Sequence, residues 1–186
     1  PAIILSDLLI SDETSTINPD LLDMHPVIDR GELITEAGEE ADNYERYKFT
    51  DSGISPRALP GIPGYEHVVA SDEQMPNGVL ISDEYTHPHK RRAMMEKRQR
   101  KMGGLLDDLP PPVIVGDSNA EVTLVGWGST AGVIQEAIEQ LATDGVVANH
   151  LHFKWIVPFH ADEAVELLSS CKRTILIENN YSGLFH

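Results

Sequence analysis

The sequence predicts an α/β protein, with a three-layer, parallel-rich sheet domain at its C-terminal end and a loop-rich connector before it. Three observations predict this. A β-branched run, Glu121-Val-Thr-Leu-Val-Gly126-Trp-Gly128-Ser129-Thr130-Ala131-Gly132, breaks at glycines and resumes with helical spacing from Val133, where Ile134, Ala137, Ile138 and Leu141 share one face. The next apolar run, Val146 to Leu151, supplies a second strand, so the segment reads as a βαβ unit. Residues 25 to 85, in contrast, carry little periodicity and many turn signals, among them Asp29-Arg30-Gly31, Asp51-Ser52-Gly53, Leu59-Pro60-Gly61 and Asn77-Gly78.

Composition bounds the rest. A chain of 186 residues holds one substantial domain or two small ones, and 41% hydrophobic content suffices for a core. The formal net charge of -16 argues against nucleic acid as a partner, because phosphate binding depends on lysine and arginine. No apolar run approaches the length of a membrane span. The single cysteine, Cys171, cannot form an internal disulfide, which makes a reducing cytoplasm the expected setting. One thiol also falls short of the roughly four that hold an iron–sulfur cluster. Pro1 stands first and no signal-peptide pattern follows, so the chain reads as a piece of a longer protein.

In chain order, Ala2 to Leu5 reads as a buried strand ending at Ser6-Asp7, closing a domain that extends over residues 1–24. The connector covers 25–112. Within it, residues 86–102 read as a basic helix with Thr86 as cap, an early Pro88 and a Gly103-Gly104 stop. Its cations are expected to face acidic surface, or alternatively an anion. Leu109-Pro110-Pro111-Pro112 is a stiff joint, placing the sheet domain at 113–186. A helix from about Asp162 and a third strand, Thr174 to Glu178, complete that domain, and Asn179-Asn180-Tyr181-Ser182-Gly183 forms a polar loop at a strand's carboxyl end.

Several constellations bear on chemistry. Gly126, Gly128 and Ala131 fit G-x-G-x-x-A, which makes Gly126, Gly128 and Ser129 candidate cofactor contacts. The acid that would hold a ribose, due near Ala148 to Leu151, is absent, and close helix packing is the competing reading. A nucleophile elbow would need serine where Thr130 stands. Gly116-Asp117-Ser118 with Asn149 is a near miss for the motif that holds Mg²⁺ and thiamine diphosphate, since a strand rather than a helix follows it. The pairs His87/His89 and His150/His152 lack a clear third ligand; His160, at a strand end, is better placed for a contact.

From Tyr47 onward the wording becomes specific. Tyr47-Lys-Phe-Thr-Asp-Ser-Gly-Ile-Ser-Pro-Arg57-Ala-Leu-Pro-Gly61, Ala70-Ser-Asp72-Glu73 leading to Gly78, His89 to Arg98, and the tail with Pro158-Phe159 and Ile177-Glu178-Asn179-Asn180-Tyr181-Ser182-Gly183 appear in order. Together they resemble the α subunit of 2-oxoacid:ferredoxin oxidoreductases, particularly the 2-oxoglutarate type. The resemblance implies the end of a thiamine pyrimidine-binding-like domain, a connector and a transketolase C-terminal-like α/β domain. It implies a hetero-oligomer that oxidatively decarboxylates a 2-oxoacid with coenzyme A and reduces ferredoxin, in which this piece is mainly scaffold and interface. Thiamine diphosphate, Mg²⁺ and a [4Fe–4S] cluster would then come with a β subunit, this chain alone binding none of them. Arg57 is the expected contact of a substrate carboxylate, with Asp72 and Glu73 on the next loop; tying the connector together is the competing role for these residues. Gln74 follows where relatives often have histidine. The alternative function is a noncatalytic module that binds a nucleotide or coenzyme A at the Gly126 turn.

Overall fold

The structure, a computed structural model, describes residues 3–6, 8–82, 87–183, 185 and 186. Its residues fall into two compact units, Pro1–Leu22 with Leu109–His186, and Asp23–Asp108. The expected N-terminal strand does not form over the described residues. Ile3, Ile4 and Leu5 are 86%, 92% and 90% exposed, and only a short helix, α1 (Leu8–Asp12), follows. An apolar run becomes a strand only where a neighbour takes up its backbone donors and acceptors. Ala2 and Asp7 lie outside the described residues.

The connector unit holds little regular structure: β1 (Leu33–Ile34) pairs in parallel with β2 (Arg57–Ala58), and α2 (Pro88–Asp108) is the one long helix among its described residues. The proline opens α2, where a missing N–H costs nothing; the expected cap, Thr86, lies outside the described residues. The helix does not stop at Gly103-Gly104 but runs on to Asp108. Each glycine costs only about 1 kcal/mol in a helix. Pro110 is a firmer barrier, because it drives the preceding Leu109 out of the helical region.

The other unit is built on a sheet of order β3-β5-β4-β6, from β3 (Val113–Gly116), β4 (Val122–Trp127), β5 (Ala148–Phe153) and β6 (Thr174–Leu176). The last three run parallel, while β3, which sequence patterning did not single out, adds an antiparallel edge. Helix α3 (Thr130–Thr143) joins β4 to β5, and α4 (Ala161–Ser170) joins β5 to β6. The chain moves one way along the sheet and then back, so right-handed crossovers put the two helices on opposite faces. The cores confirm it. Val122, Leu124 and Ala148 pack with Ile134, Ala137, Ile138 and Leu141 on one face, and Val125, Leu151 and Phe153 pack with Ala164 and Leu167 on the other. This is the three-layer α/β/α arrangement expected, with a mixed rather than wholly parallel sheet.

Candidate functional site

In the connector unit, Arg57 sits in β2 with its backbone held on every side. Its N–H donates to Glu32 O at 2.8 Å, and Leu59 N–H donates to Ile34 O at 3.1 Å. The Tyr44 hydroxyl donates to Pro56 O at 3.2 Å and accepts from Ala58 N–H at 3.1 Å, bridging the peptide groups on either side of the arginine. Tyr44 is fixed in turn by edge-on rings, Tyr65 at 5.1 Å and His67 at 5.3 Å between centroids. The guanidinium itself is exposed and, among the described residues, has no hydrogen-bond or ion-pair partner. Five N–H donors are thus presented to solvent from a fixed base.

The second expected group, Asp72 and Glu73, lies on a loop closed by Ala70 N–H to Gly78 O (3.1 Å), Met75 N–H to Val79 O (2.8 Å) and Ile81 N–H to Glu73 O (2.9 Å). The Gln74 amide donates to Ala70 O, turning that side chain into the loop. Asp72 is exposed. The Glu73 carboxylate meets Arg98 of α2 at 2.6 Å with its side chain only 8% exposed, so it is engaged as a tether. No hydrogen bond or ion pair joins Arg57 to Asp72 or Glu73.

The basic helix is what fastens both loops. Arg98 takes Glu73, Arg100 Nη2 donates to Thr50 O at 3.2 Å, and Lys97 Nζ donates to Tyr47 O at 3.0 Å and to Ser55 Oγ. Lys97 is 3% exposed. Burial pushes its amine down to about 8, and the cations Lys101, Arg46, Arg98 and Arg100 push the same way. The sequence predicts an acidic surface or an anion opposite α2; of Lys97, Arg98 and Arg100 only Arg98 has an acidic partner, and the other two grip backbone carbonyls. Nothing in the local pattern marks Tyr44 or Lys97 out from the polar residues around them.

In the α/β unit, the glycine turn is a packing device. A Cβ on Gly126 would overlap Ile134 Cδ1 and Thr130 Oγ1. Thr130 Oγ1 accepts from Trp127 N–H at 3.0 Å and donates to Trp127 O at 2.8 Å, stitching the strand end to the first turn of α3 and leaving no free hydroxyl. Gly128 and Ser129 border a cleft of about 360 Å³ at the carboxyl ends of β4 and β6, facing Glu178, Asn179 and Asn180. The Glu178 carboxylate accepts from Asn179 N–H (2.8 Å), Asn180 N–H (2.9 Å), Asn180 Nδ2 (2.8 Å) and Trp127 Nε1 (3.2 Å). These donors, the Asn180 N–H foremost, hold it ionised with a pKa of about 2. A fixed negative charge there opposes a phosphate, whatever the helix dipole of α3 offers.

The remaining candidates resolve locally. Asn149 Nδ2 donates to Asp117 O at 2.9 Å and the Asp117 carboxylate accepts from Asn119 N–H at 2.8 Å, so this pair ties a turn to β5 and does not fit a Mg²⁺–diphosphate site. His150 and His152 stack edge-on at 5.1 Å, both pushed below the ordinary imidazole value, chiefly by burial. His160 Nε2 meets Leu109 O at 3.0 Å, and its Nδ1 lies 3.5 Å from Glu163, so its contact is to its own chain. Among the described residues no group of three His, Cys, Asp or Glu could hold a metal ion, and none of the described helices is long and apolar enough to cross a membrane.

Comparison with known proteins bears on the whole chain. Residues 120–185 match the family described as pyruvate:ferredoxin oxidoreductase core domain II. The chain is 34% identical over 188 residues to 2-oxoacid:ferredoxin oxidoreductase 2, subunit alpha, of Aeropyrum pernix, covering 97% of this chain and 27% of that protein. It is 32% identical over 186 residues to the 2-oxoglutarate oxidoreductase subunit KorA of Mycobacterium tuberculosis, covering 99% and 27%. It therefore spans about a quarter of the length of these relatives. A solved 2-oxoglutarate:ferredoxin oxidoreductase from Magnetococcus marinus, with 2-oxoglutarate, coenzyme A and succinyl-CoA bound, superposes with a TM-score of 0.64 at 28% identity, over 80% of this chain and 26% of that one. The matches to these relatives run over 97% and 99% of the chain, so it is similar throughout to a segment of 2-oxoacid:ferredoxin oxidoreductase α subunits, its residues 120–185 to their core domain II.

Proposed function

We propose that this chain is part of the α subunit of a CoA-dependent 2-oxoacid:ferredoxin oxidoreductase acting on 2-oxoglutarate, and that its connector supplies one wall of the substrate site. The observation that carries this is Arg57, a guanidinium with no partner among the described residues on a backbone fixed from both sides. A planar fork of N–H donors suits a carboxylate, which it can hold through two parallel bonds. Asp72, exposed on the neighbouring loop, is the second proposed contact, and Glu73 keeps that loop in place through Arg98. The similarity to a 2-oxoglutarate enzyme with substrate and coenzyme A bound supports the choice of substrate class.

The redox cofactors of such an enzyme do not fit this chain. Its single thiol falls short of a cluster's roughly four ligands, and the Asp117–Asn149 pair is engaged with backbone. Thiamine diphosphate, Mg²⁺ and the [4Fe–4S] cluster are assigned to a β partner, ferredoxin being the acceptor. The chain's own work is to bind and orient substrate and to present an interface, its α/β unit serving as scaffold.

The test is coexpression of the full-length α subunit with its partner, followed by 2-oxoacid-dependent reduction of ferredoxin or viologen. Hydrogen bonds to a charged group contribute about 1.5–3 kcal/mol, so Arg57→Gln should raise KM for the 2-oxoacid by about 10- to 150-fold. An assembled complex inactive with every common 2-oxoacid would sink the assignment, and an unchanged KM in Arg57→Gln would remove the arginine from it.

A further inference from the structure

We infer that Lys97 is a positioning residue for Arg57: its buried ammonium holds the loop from Tyr47 to Ser55 in the one conformation that delivers Arg57 to a substrate carboxylate. This rests on the reading of Arg57 above and adds to it a lysine that the basic helix and its motif contain without setting it apart from its neighbours.

Lys97 is the one charged side chain of α2 that is buried, at 3% exposure. Its Nζ reaches Tyr47 O at 3.0 Å and Ser55 Oγ, and lies 5.8 Å from the centre of the Tyr47 ring. Among the described residues no carboxylate pairs with it. The charged groups facing it, Arg46 from the connector and Arg98, Arg100 and Lys101 from its own helix, are all cations. An ammonium so placed has given up water without gaining an opposite charge, which is costly. Methionine would fill the same stem volume at no such cost. What the ammonium adds is two hydrogen bonds across the mouth of the loop.

The loop transmits that grip. Ser55 Oγ, while accepting from Lys97, donates to Lys48 O at 2.9 Å; Thr50 Oγ1 donates to Ile54 O at 2.9 Å; and Gly53 N–H donates to Thr50 O at 3.2 Å. Gly53, at a φ of +77°, lies so close to the helix that any Cβ would overlap the Lys97 carbonyl oxygen. The loop is therefore a closed hydrogen-bonded plug seated on α2, and Arg57 stands two residues beyond its last anchor. Lys97 touches no substrate in this arrangement and acts through the arginine.

The test uses the assembled enzyme with full-length subunits and reads KM for the 2-oxoacid against kcat for viologen reduction. Lys97→Met should raise KM about tenfold with kcat held within about twofold, since the loss is one of binding geometry. Lys97→Arg, which keeps charge and donors, should recover most of the loss. In an Arg57→Gln background Lys97→Met should add no further rise, because a residue acting through Arg57 has nothing left to act on. Fully additive effects would overturn the inference, as would a normal KM in Lys97→Met when Arg57→Gln alone raises it; the Arg57 reading would survive both results. A normal KM in Arg57→Gln would remove both. Should Lys97→Met fail to assemble, Ser55→Ala deletes one of the two acceptors without changing charge, and is expected to raise KM about threefold; no rise there overturns the inference.

Discussion

Alanine at Gly126 puts a methyl group where Ile134 Cδ1 and Thr130 Oγ1 already stand. Ile134 is 1% exposed and has no space to retreat into, and overpacking of this kind costs about 1–3 kcal/mol. Thr130 can yield only by loosening its two bonds to Trp127, each contributing about 0.5–1.5 kcal/mol. The sum is a destabilisation of roughly 2–6 kcal/mol, or about 1–3 M in urea midpoint for a domain of this size. Urea unfolding followed by tryptophan fluorescence is the assay, Trp127 lying beside the substituted residue. A second variant sharpens it. Ile134→Val removes the very Cδ1 that the new methyl meets, so Gly126→Ala with Ile134→Val should fall short of the sum of the single costs by about 0.5–1.5 kcal/mol. If Gly126 were instead a cofactor cradle, Gly126→Ala would leave the midpoint unmoved, and that result, or strict additivity in the pair, would refute the packing account.

Two other perturbations probe the fixed groups. Glu178, with a folded pKa of about 2 against an ordinary 4.5, contributes stability that is complete above about pH 4.5 and lost as pH falls from there towards 2; Glu178→Gln should flatten that part of a melting-temperature profile, and equal slopes in the two proteins would contradict the hydrogen-bonded carboxylate. Tyr44→Phe keeps the ring stack and deletes both bonds that bracket Arg57; KM for the 2-oxoacid in the assembled enzyme should rise about three- to tenfold, whereas a loss confined to kcat would show that the bracket serves something else.

What the sequence determined by itself is what local chemistry determines. The side-chain period from Val133 to Leu141 made α3 legible, and the β-branched runs flanking it made β4 and β5 legible, because helical and extended backbones sort apolar residues by spacing alone. The motif wording from Tyr47 onward carried the family resemblance. Tertiary structure decided whatever depends on a partner far along the chain. The apolar run at Ile3 to Leu5 forms no strand, for want of a ladder. Val113 to Gly116 became an edge strand because β5 offered its own edge. The glycines at 103 and 104 stayed helical until Pro110 intervened. Arg57 was visible as a cation in a motif, but its fixing by Tyr44 and by Lys97 spans 12 to 50 residues of sequence, a separation at which no periodicity survives. For the same reason the glycine turn could be matched to a nucleotide fingerprint in sequence, while only the packed helix showed that Ile134 and Thr130 fill the space beside it.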